Sequence, residues 1–329
     1  MKITAQRLKN LVHGFARKRI LVVGDLILDH YILGKVERIS PEAPVPVVWA
    51  RQENFVCGGA ANVGLNIAAL NGKAALCGVV GNDPFGKTLL AKVKDGAIET
   101  KLVICDKTRP TTIKTRVVGN RQQMVRVDWE SVEPLSYKIN RKFLDSLHKA
   151  IDYFDAVIIE DYGKGMINTD LAGDLVELCR SHKKIVTVDP KEENIDLYQG
   201  VTCLTPNLKE AQAAAEMKIR SKAEIPLLGH EIIDRLRPQA LLITLGEDGM
   251  MLFENGKNYH IPTVAHEVFD VSGAGDTVIA VFTMALACKA SFYEAAYISN
   301  LAAGIVVGKL GTATTSVKEL TDKIDETVK

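Results

Sequence analysis

The sequence predicts an α/β protein in which helices flank a doubly wound, mostly parallel β-sheet. Short apolar runs of strand length alternate with longer segments of helical length, which is the βα rhythm of such sheets. The first run, residues 20–23, is apolar without interruption and leads into Gly24 and Asp25, as expected for a strand buried on both faces. Polar groups follow several of these strands, at the edge where open α/β sheets bind ligands.

The other elements follow from the same patterns. Further strands are predicted as short apolar runs at residues 76–80, 155–160, 185–189, 201–204 and 241–245. Helices are predicted at residues 5–16, 63–70, 169–181, 293–307 and from 317 onward. No internal repeat or low-complexity linker divides the sequence, so we expect one domain over residues 1–329.

Two β-rich insertions, at about residues 31–51 and 111–128, interrupt the regular alternation. Three prolines within residues 41–46 of the first insertion exclude a helix there. In the second, apolar and polar residues alternate on both sides of a turn at Gly119 and Asn120, as in a hairpin. We expect the insertions to pair into a small β-sheet that covers the site as a lid. Because an exposed sheet invites pairing, this lid would also suit a homodimer interface.

Composition argues against several classes of function. The 41 basic and 40 acidic residues leave no net field that would favour nucleic acid or an anionic membrane. The apolar runs are too short to span a bilayer. The cysteines show neither C-x-x-C nor ligand spacing, which indicates reduced thiols in a cytoplasmic protein. They are Cys57, Cys77, Cys105, Cys179, Cys203 and Cys288.

Residues 81–88 match the P-loop pattern G-x-x-x-x-G-K-[ST] letter for letter, between a predicted strand and a predicted helix. We nevertheless reject a P-loop, because that loop cradles phosphate with successive backbone N–H groups. Pro84 has no N–H group, and Asp83 would place a negative charge where the phosphate would lie.

The strongest candidate for chemistry is residues 270–277, Asp-Val-Ser-Gly-Ala-Gly-Asp-Thr. The small residues Gly273, Ala274 and Gly275 allow a tight turn that opens a helix, and the first amides of a helix attract anions. Asp276 at the edge of such an anion hole could take a proton from a hydroxyl group. The alternative is a turn in which Asp276 only caps the helix, and the motif alone does not decide between them.

Two motifs resemble the signatures of the PfkB/ribokinase family of sugar kinases. Residues 58–64, Gly-Gly-Ala-Ala-Asn-Val-Gly, resemble the N-terminal signature, and residues 270–283 resemble the C-terminal one. Asn71 and Val281 depart from the usual patterns, both at packing positions. The family also commonly has G-x-D-x-x-G, which accounts for the P-loop match. The resemblance implies a ribokinase-like fold.

The resemblance narrows to the heptose-7-phosphate 1-kinase branch. Its most specific part is residues 39–47, Ile-Ser-Pro-Glu-Ala-Pro-Val-Pro-Val. The implied reaction transfers the γ-phosphoryl group of ATP, with Mg²⁺, to O1 of D-glycero-β-D-manno-heptose 7-phosphate in ADP-heptose biosynthesis. Many relatives carry a C-terminal nucleotidyltransferase whose H-x-G-H motif is absent here. We therefore expect no adenylyltransferase domain and a separate nucleotidyltransferase acting downstream; the sequence leaves open a stand-alone kinase or a shortened bifunctional one.

The resemblance also implies roles for individual residues. Asp276 would be the base, and the amides of Gly273, Ala274 and Gly275 would hold the transferring phosphoryl group. Asn207 and Glu210 match an N-x-x-E element that acts through water on Mg²⁺ and the phosphates, although a plain helix cap would also place them there. Other residues expected near the nucleotide are Leu208, Lys209, Lys191, Thr244, Gly246, Gly249 and Gly311. Some relatives hold a monovalent cation beside positions matching Asp270, Ser272 and Gly311. The resemblance therefore leaves open whether this chain binds one there.

On the sugar side, the positions that match the hydroxyl-binding residues of the family are Asp29, Gly58, Gly59 and Asn62. The 7-phosphate needs cationic partners, and arginine suits a bidentate grip on phosphate. The candidates on the lid strands are Lys114, Arg116, Arg121 and Arg126. Strand periodicity puts Lys114 and Arg116 on one face of the lid without showing which face is inward. Glu42 and Asp161 are further candidates for contact with the sugar or its neighbours.

Two alternatives stay open. Another sugar or sugar-phosphate kinase of the same family would keep Asp276 and change the lid. A nucleotide- or sugar-binding regulator without turnover would keep the fold and lose the base, so the presence of Asp276 after Gly-Ala-Gly argues against it.

Overall fold

The computed structural model describes residues 3–265 and 268–328. Its strands are β1 (Arg19–Gly24), β2 (Leu26–Ile39), β3 (Pro46–Gly59), β4 (Lys73–Gly81), β5 (Glu99–Asp106), β6 (Thr112–Gly119), β7 (Gln122–Trp129), β8 (Ala156–Glu160), β9 (Ile185–Asp189), β10 (Cys203–Leu204), β11 (Ala240–Thr244), β12 (Met250–Glu254) and β13 (Lys257–Ile261). Its α-helices are α1 (Ala5–Gly14), α2 (Ala60–Ala69), α3 (Pro84–Asp95), α4 (Tyr137–Ala150), α5 (Thr169–Ser181), α6 (Leu208–Ala214), α7 (Ile225–Leu236), α8 (Ala274–Ala287), α9 (Phe292–Val306) and α10 (Val317–Thr327).

The larger sheet has nine strands in the order β13-β12-β11-β10-β9-β8-β1-β4-β5. All neighbours are parallel except β12, which is antiparallel to both β11 and β13. The chain adds β4 and β5 on one side of β1 and later adds β8 on the other side. The strand order therefore reverses at β1 and β8, and ligands bind beyond the carboxyl ends of strands at such a reversal. The predicted doubly wound sheet is confirmed.

Apolar side chains cover both faces of this sheet, as buried parallel strands require. One core cluster includes Phe15 and Phe282 and joins the sheet to α1, α2, α8, α9 and α10. The other includes Phe143 and Phe253 and joins it to α4, α5 and α7. In the described part of the chain, no helix combines the length and the hydropathy that crossing a membrane demands.

The second sheet has four strands in the order β3-β2-β6-β7, and we call it the lid sheet. Its strands come from the two predicted insertions, and β2 pairs with β6 in parallel while β2–β3 and β6–β7 are antiparallel. The predicted small sheet is therefore confirmed. Its strands are longer than the sequence suggested, because β2 already begins at Leu26 and β3 continues to Gly59. The lid sheet is thus continuous with the end of β1.

Two local features explain patterns in the sequence. Asp83 caps α3, since its carboxylate accepts hydrogen bonds from the Gly86 N–H at 2.8 Å and the Thr111 N–H at 2.8 Å. The carboxylate uses the donors that a P-loop would offer to phosphate, in agreement with the rejection of that motif. Asn71, where the family signature usually has a smaller residue, follows α2 with a φ of 65°, a conformation that asparagine tolerates better than most residues.

Candidate active site

The candidate active site lies beyond the carboxyl ends of β1, β8 and β9, at the amino end of α8 and beneath the lid sheet. A cavity of about 190 Å³ occupies this position. It is lined by Ile27, Asp29, Tyr31, Gly58, Gly59, Lys114, Arg116, Tyr162, Ser272, Gly273, Asp276 and Thr312. The structure therefore brings both family signatures and the lid cations to one small space.

Asp276 lies inside the first turn of α8 and does not cap it. The helix begins at Ala274, three residues earlier than a cap at Asp276 would require, and Gly273 is the N-cap residue. Gly273 has a φ of 77°, and a Cβ atom there would come within 2.7 Å of the Asn62 amide nitrogen. Only glycine fits this turn. The capping interpretation of Asp276 is therefore wrong, because the tight turn starts the helix before that residue.

The carboxylate of Asp276 is buried, at 3% exposure, and held by two donors. The side-chain amide of Asn62 donates to Oδ2 at 2.6 Å, and the hydroxyl of Tyr162 donates to Oδ1 at 3.0 Å. Burial raises the pKa of Asp276 above its ordinary value, while these two hydrogen bonds act in the opposite direction. The carboxylate is thus fixed in orientation and is a stronger base than a solvated aspartate.

Asn62 differs from its predicted place. The sequence predicts that Asn62 contacts sugar hydroxyls. In the structure it is 1% exposed, does not line the small cavity, and donates a hydrogen bond from its side-chain amide to Asp276. It lies in the first turn of α2, whose close packing on α8 turns this side chain toward the aspartate. Its geometry is that of a residue that positions the base.

In the described chain, the amino end of α8 leaves two backbone amides free, and one of them differs from the amides predicted for the anion hole. The N–H group of Ala274 donates to the Val271 carbonyl at 3.2 Å, so it is not free. Within the described residues, the Gly275 and Asp276 N–H groups have no such acceptor, and Gly275 is exposed. These amides begin α8, where the helix dipole favours an anion.

Five of the predicted sugar-side residues line the small cavity: Asp29, Gly58, Gly59, Lys114 and Arg116. Lys114 and Arg116 share the face that points inward, with Asp29 and Tyr31 beside them in the β2–β6 register. Arg116 forms an ion pair with Asp29. A Cβ atom at position 58 would lie 2.5 Å from the Asp29 carboxylate, so glycine is required there. Burial lowers the pKa of Lys114.

Four other candidates do not reach this cavity. Glu42 is exposed between β2 and β3, and Arg121 lies in the exposed turn between β6 and β7. Arg126 faces the same side as Arg116 but is half exposed and paired with Asp128 at 3.0 Å. Asp161 is buried and accepts hydrogen bonds from Tyr198 and Asn194, which fix the loop after β8.

A second cavity, of about 670 Å³, opens on the other side of the α8 turn. Its volume suits a nucleotide-sized ligand. It is lined by Thr244, Gly246, Glu247, Gly249, Met250, Thr263, Ala265, Val268, Val271, Ala274, Gly275, Val278, Asn300, Ala303, Gly304 and Val307. The predicted residues Thr244, Gly246 and Gly249 are among them, and the walls are mostly apolar.

Asn207 and Glu210 lie beside this cavity and form a capping box at the start of α6. Asn207 pairs with Thr244 across the sheet. The capping box occupies one carboxyl oxygen of Glu210 and leaves the other without a hydrogen bond in the described chain. The structure therefore contains the plain cap and still leaves an oxygen available for a hydrated cation.

The other predicted nucleotide-side residues lie outside the large cavity. Leu208 packs against the second core cluster, and Lys209 is exposed, 3.4 Å from Glu192. Lys191 lines a neighbouring groove with Tyr162 and Gly163. Gly311 has a φ of 72° and lies near Asp270, just before the α8 turn. A hydrogen bond from the Gly311 backbone helps to lower the pKa of Asp270.

Sequence reasoning missed three side chains around Asp276. Tyr162 follows β8 in Asp-Tyr-Gly-Lys-Gly, and its hydroxyl donates a hydrogen bond to the aspartate. Glu160 ends β8 and Asp189 ends β9, side by side in the sheet. Carboxyl oxygens of Glu160, Asp189 and Asp276 lie within 4.8 Å of one another. Their positions at the ends of neighbouring strands were the signal that could have revealed them.

The PfkB family model, described as pfkB family carbohydrate kinase, matches residues 17–319. The chain belongs to this family. A relative from Helicobacter hepaticus named bifunctional protein HldE is 43% identical over 302 residues, which are 92% of this chain and 63% of that protein. This PfkB carbohydrate kinase therefore spans somewhat less than two thirds of that relative.

Solved structures share the fold at low identity. Arabidopsis thaliana ribokinase complexed with ribose and ATP aligns with a TM-score of 0.74 at 20% identity, over 93% of this chain and 98% of that chain. Phosphofructokinase-2 from Escherichia coli in complex with potassium aligns with a TM-score of 0.78 at 17% identity, over 94% and 99%. The predicted ribokinase-like fold is thus confirmed for this PfkB kinase.

Tyr162 and Tyr198 provide a matched test of the base. Tyr162→Phe removes a donor that stabilises ionised Asp276, so the acidic limb of the kcat/KM–pH profile should move to higher pH. We also expect kcat to fall roughly 10-fold, the effect of about 1.5 kcal/mol from a hydrogen bond to a charged group. The measurement is ADP release from ATP across pH.

Tyr198→Phe is the control, because its hydroxyl donates to a buried carboxylate, Asp161, that lies outside the cavity. It should lower the free energy of unfolding by about 1–3 kcal/mol and leave the pH profile in place. Equal profiles for the two variants would contradict a role of Tyr162 in setting the base.

Proposed function

We propose that this PfkB kinase transfers the γ-phosphoryl group of ATP to O1 of D-glycero-β-D-manno-heptose 7-phosphate. The observation that carries the proposal is the position of the α8 turn between two cavities. Gly273 and Asp276 line the small cavity, whereas Ala274 and Gly275 line the large one. A sugar hydroxyl and a nucleotide phosphate would therefore meet at this turn. The residue patterns of the heptose kinase branch supply the identity of the sugar.

Phosphoryl transfer asks for positioning and charge stabilisation more than for covalent chemistry. Asp276 takes the proton from O1, since its oriented carboxylate faces the sugar cavity and its pKa is raised by burial. The Gly275 and Asp276 amides stabilise the charge on the transferring group, and donors of this kind contribute roughly 3 kcal/mol each. Glu210 would hold Mg²⁺ of the nucleotide through water, where the cation neutralises phosphate charge.

The inward lid cations are the proposed site of the 7-phosphate. Lys114 and Arg116 lie on the sugar side of Asp276, at the wall of the small cavity. Arg116 is already paired with Asp29, so Lys114 is the cation of this pair without a carboxylate within 4 Å among the described residues. Its burial favours an anionic ligand, because a buried ammonium gains most from a partner.

The first experiment measures ADP release with Mg·ATP and a panel of heptose 7-phosphate, fructose 6-phosphate, ribose and fructose. We expect turnover with the heptose phosphate and a decrease of about 10²–10⁴-fold in Asp276→Asn, the usual loss when a general base is removed. Turnover on another sugar of the panel would refute the heptose assignment and keep the base. Absence of turnover with ATP still bound would indicate a regulator instead.

Lys114→Met tests the phosphate site. We expect the ratio of kcat/KM for heptose 7-phosphate over unphosphorylated heptose to fall about 10–100-fold, because a hydrogen bond to a charged group contributes about 1.5–3 kcal/mol. The matched control is Arg126→Met, on the same face of the lid sheet but outside the cavity. A comparable loss in the control would place the phosphate farther out on the lid.

We further propose that the protein forms a homodimer through the outer face of the lid sheet. On the face opposite Lys114 and Arg116, three residues of β7 are apolar and exposed; of their partners on β6, Val117 is apolar, Thr115 is polar and Ile113 is buried. On β7, Val125, Val127 and Trp129 are 49%, 42% and 63% exposed. An apolar sheet face of this kind marks an interaction site, and a symmetric dimer would cover it with its own copy.

Val127→Lys tests the dimer by light scattering after gel filtration. A lysine at the centre of the face should weaken association at least about 10-fold, the equivalent of about 1.4 kcal/mol. Leu227→Lys on α7 is the control, since Leu227 is also an exposed apolar residue and lies away from the lid sheet. A wild-type protein that stays monomeric at micromolar concentration would contradict the proposal.

In the proposed pathway the kinase works in the cytoplasm beside a nucleotidyltransferase.

A further inference from the structure

Glu160 is the buried carboxyl group that the proposed mechanism leaves without a role. It is the last residue of β8, between Gly24 of β1 and Asp189 of β9 in the sheet. Its exposure is 0%, and neither carboxyl oxygen has a hydrogen-bond partner in residues 3–265 and 268–328. A buried polar group without a partner is costly, so this arrangement calls for an explanation.

The nearest charged neighbours of Glu160 are acidic. Asp276 on α8 and Asp189 on β9 lie beside it, and the charges of Asp161 and Asp25 add to their repulsion. Carboxyl oxygens of Glu160, Asp189 and Asp276 lie within 4.8 Å of one another. Three ionised carboxylates this close in a dry environment repel strongly, so the cluster retains at least one proton.

A comparison of the three carboxyl groups locates that proton. Asp276 accepts hydrogen bonds from Asn62 and Tyr162, which stabilise its charge. Asp189 is partly exposed as a residue, which gives its charge some access to water that Glu160 lacks, although burial of its carboxyl group raises its pKa as well. Glu160 has neither donors nor solvent. Burial, together with the neighbouring carboxylates, accordingly raises the pKa of Glu160 well above its ordinary value.

We propose that Glu160 stays protonated at neutral pH and donates a hydrogen bond to Asp276, which makes it a positioning residue for the base. Asp276 then has three donors, from α2, from the loop after β8 and from β8 itself. They hold its charge and aim the carboxylate at the sugar cavity. This inference rests on the proposed role of Asp276 as base and is independent of which sugar is phosphorylated.

The proposal implies a direction of pH dependence. The charged groups that most affect Glu160 in the described chain are acidic, namely Asp189, Asp276, Asp161 and Asp25, and the neighbouring phenol Tyr162 is neutral. Loss of the Glu160 proton would place a second negative charge beside Asp276 and remove a donor. Activity should therefore decline at alkaline pH as Glu160 ionises.

Glu160→Gln keeps the shape and an N–H donor but cannot ionise. We expect kcat at neutral pH to stay within about 3-fold of wild type, because a donor to the charged carboxylate is retained, and the alkaline decline to move to higher pH. Glu160→Leu removes the donor and should lower kcat by about 10-fold or more while the KM for ATP is unchanged. Glu254→Gln, at a buried strand glutamate far from Asp276, should leave the profile unchanged.

Infrared spectroscopy gives a readout that does not depend on turnover. The wild-type protein at neutral pH should show the carbonyl stretch of a protonated carboxylic acid that is lost in Glu160→Gln and retained in Glu254→Gln. This measurement tests the protonation of Glu160 even if the proposed substrate is wrong. The absence of a Glu160 band, or a loss of kcat in Glu160→Gln as large as in Asp276→Asn, would show that Glu160 works ionised and would overturn the proposal.

Discussion

The site depends on keeping one negative charge, that of Asp276, out of water. Burial alone would neutralise such a carboxylate, so the surrounding fold must supply compensation. The amino end of α8 lies beside it, and donors from α2 and from the loop after β8 hold both of its oxygens. The turn at Gly273 places the residue, because a side chain there would collide with Asn62. Helix α8 is buried along its length from Asp276 onward, so the charge sits on one of the most rigid parts of the molecule.

The reversal of strand order explains why so many acidic residues meet there. β1, β8 and β9 are neighbours and end at the same edge, and each is followed or ended by a carboxylate. Asp25 does not act on ligands. It accepts hydrogen bonds from the backbone N–H groups of Tyr162, Lys164 and Met166 and so shapes the loop that carries Tyr162. Burial raises the pKa of Asp25 to about 6, so this carboxylate still carries most of its charge at neutral pH and loses it in mildly acidic solution.

Much of this fold was readable from the sequence, because buried strands and helix starts have strong local patterns. Six of the nine strands of the large sheet, helix α5 and the origin of the lid sheet follow from periodicity, prolines and turns, whereas β5, β12 and β13 were not predicted. The site was only partly readable. Asp276 and Gly58, predicted from the family resemblance, and Lys114, predicted from its place on the lid strands, line the small cavity, but Asn62 was assigned to sugar hydroxyls and Asp161 to the sugar or its neighbours. Those two side chains turn elsewhere because of tertiary partners, Asp276 and Tyr198, that no local pattern specifies. Glu160 ends a predicted strand, but an acid at that position is ordinary until the neighbouring strands are known, so it was missed.

The continuity of β2 with the site has a mechanical consequence. β2 and β3 run without interruption from Asp29 and Gly58 at the cavity to Ile39 and Pro46 at the far tip. At about 3.3 Å per residue, the tip of β2 lies roughly four times as far from Leu26 as Asp29 does. The lid sheet therefore acts as a lever, and a tilt that shifts Asp29 by one unit of length shifts Ile39 by about four. A contact that fixes the tip of the lid sheet would therefore also restrain the end of the sheet at the cavity. Conversely, a small shift of Asp29 would produce a larger displacement of Ile39 at the surface.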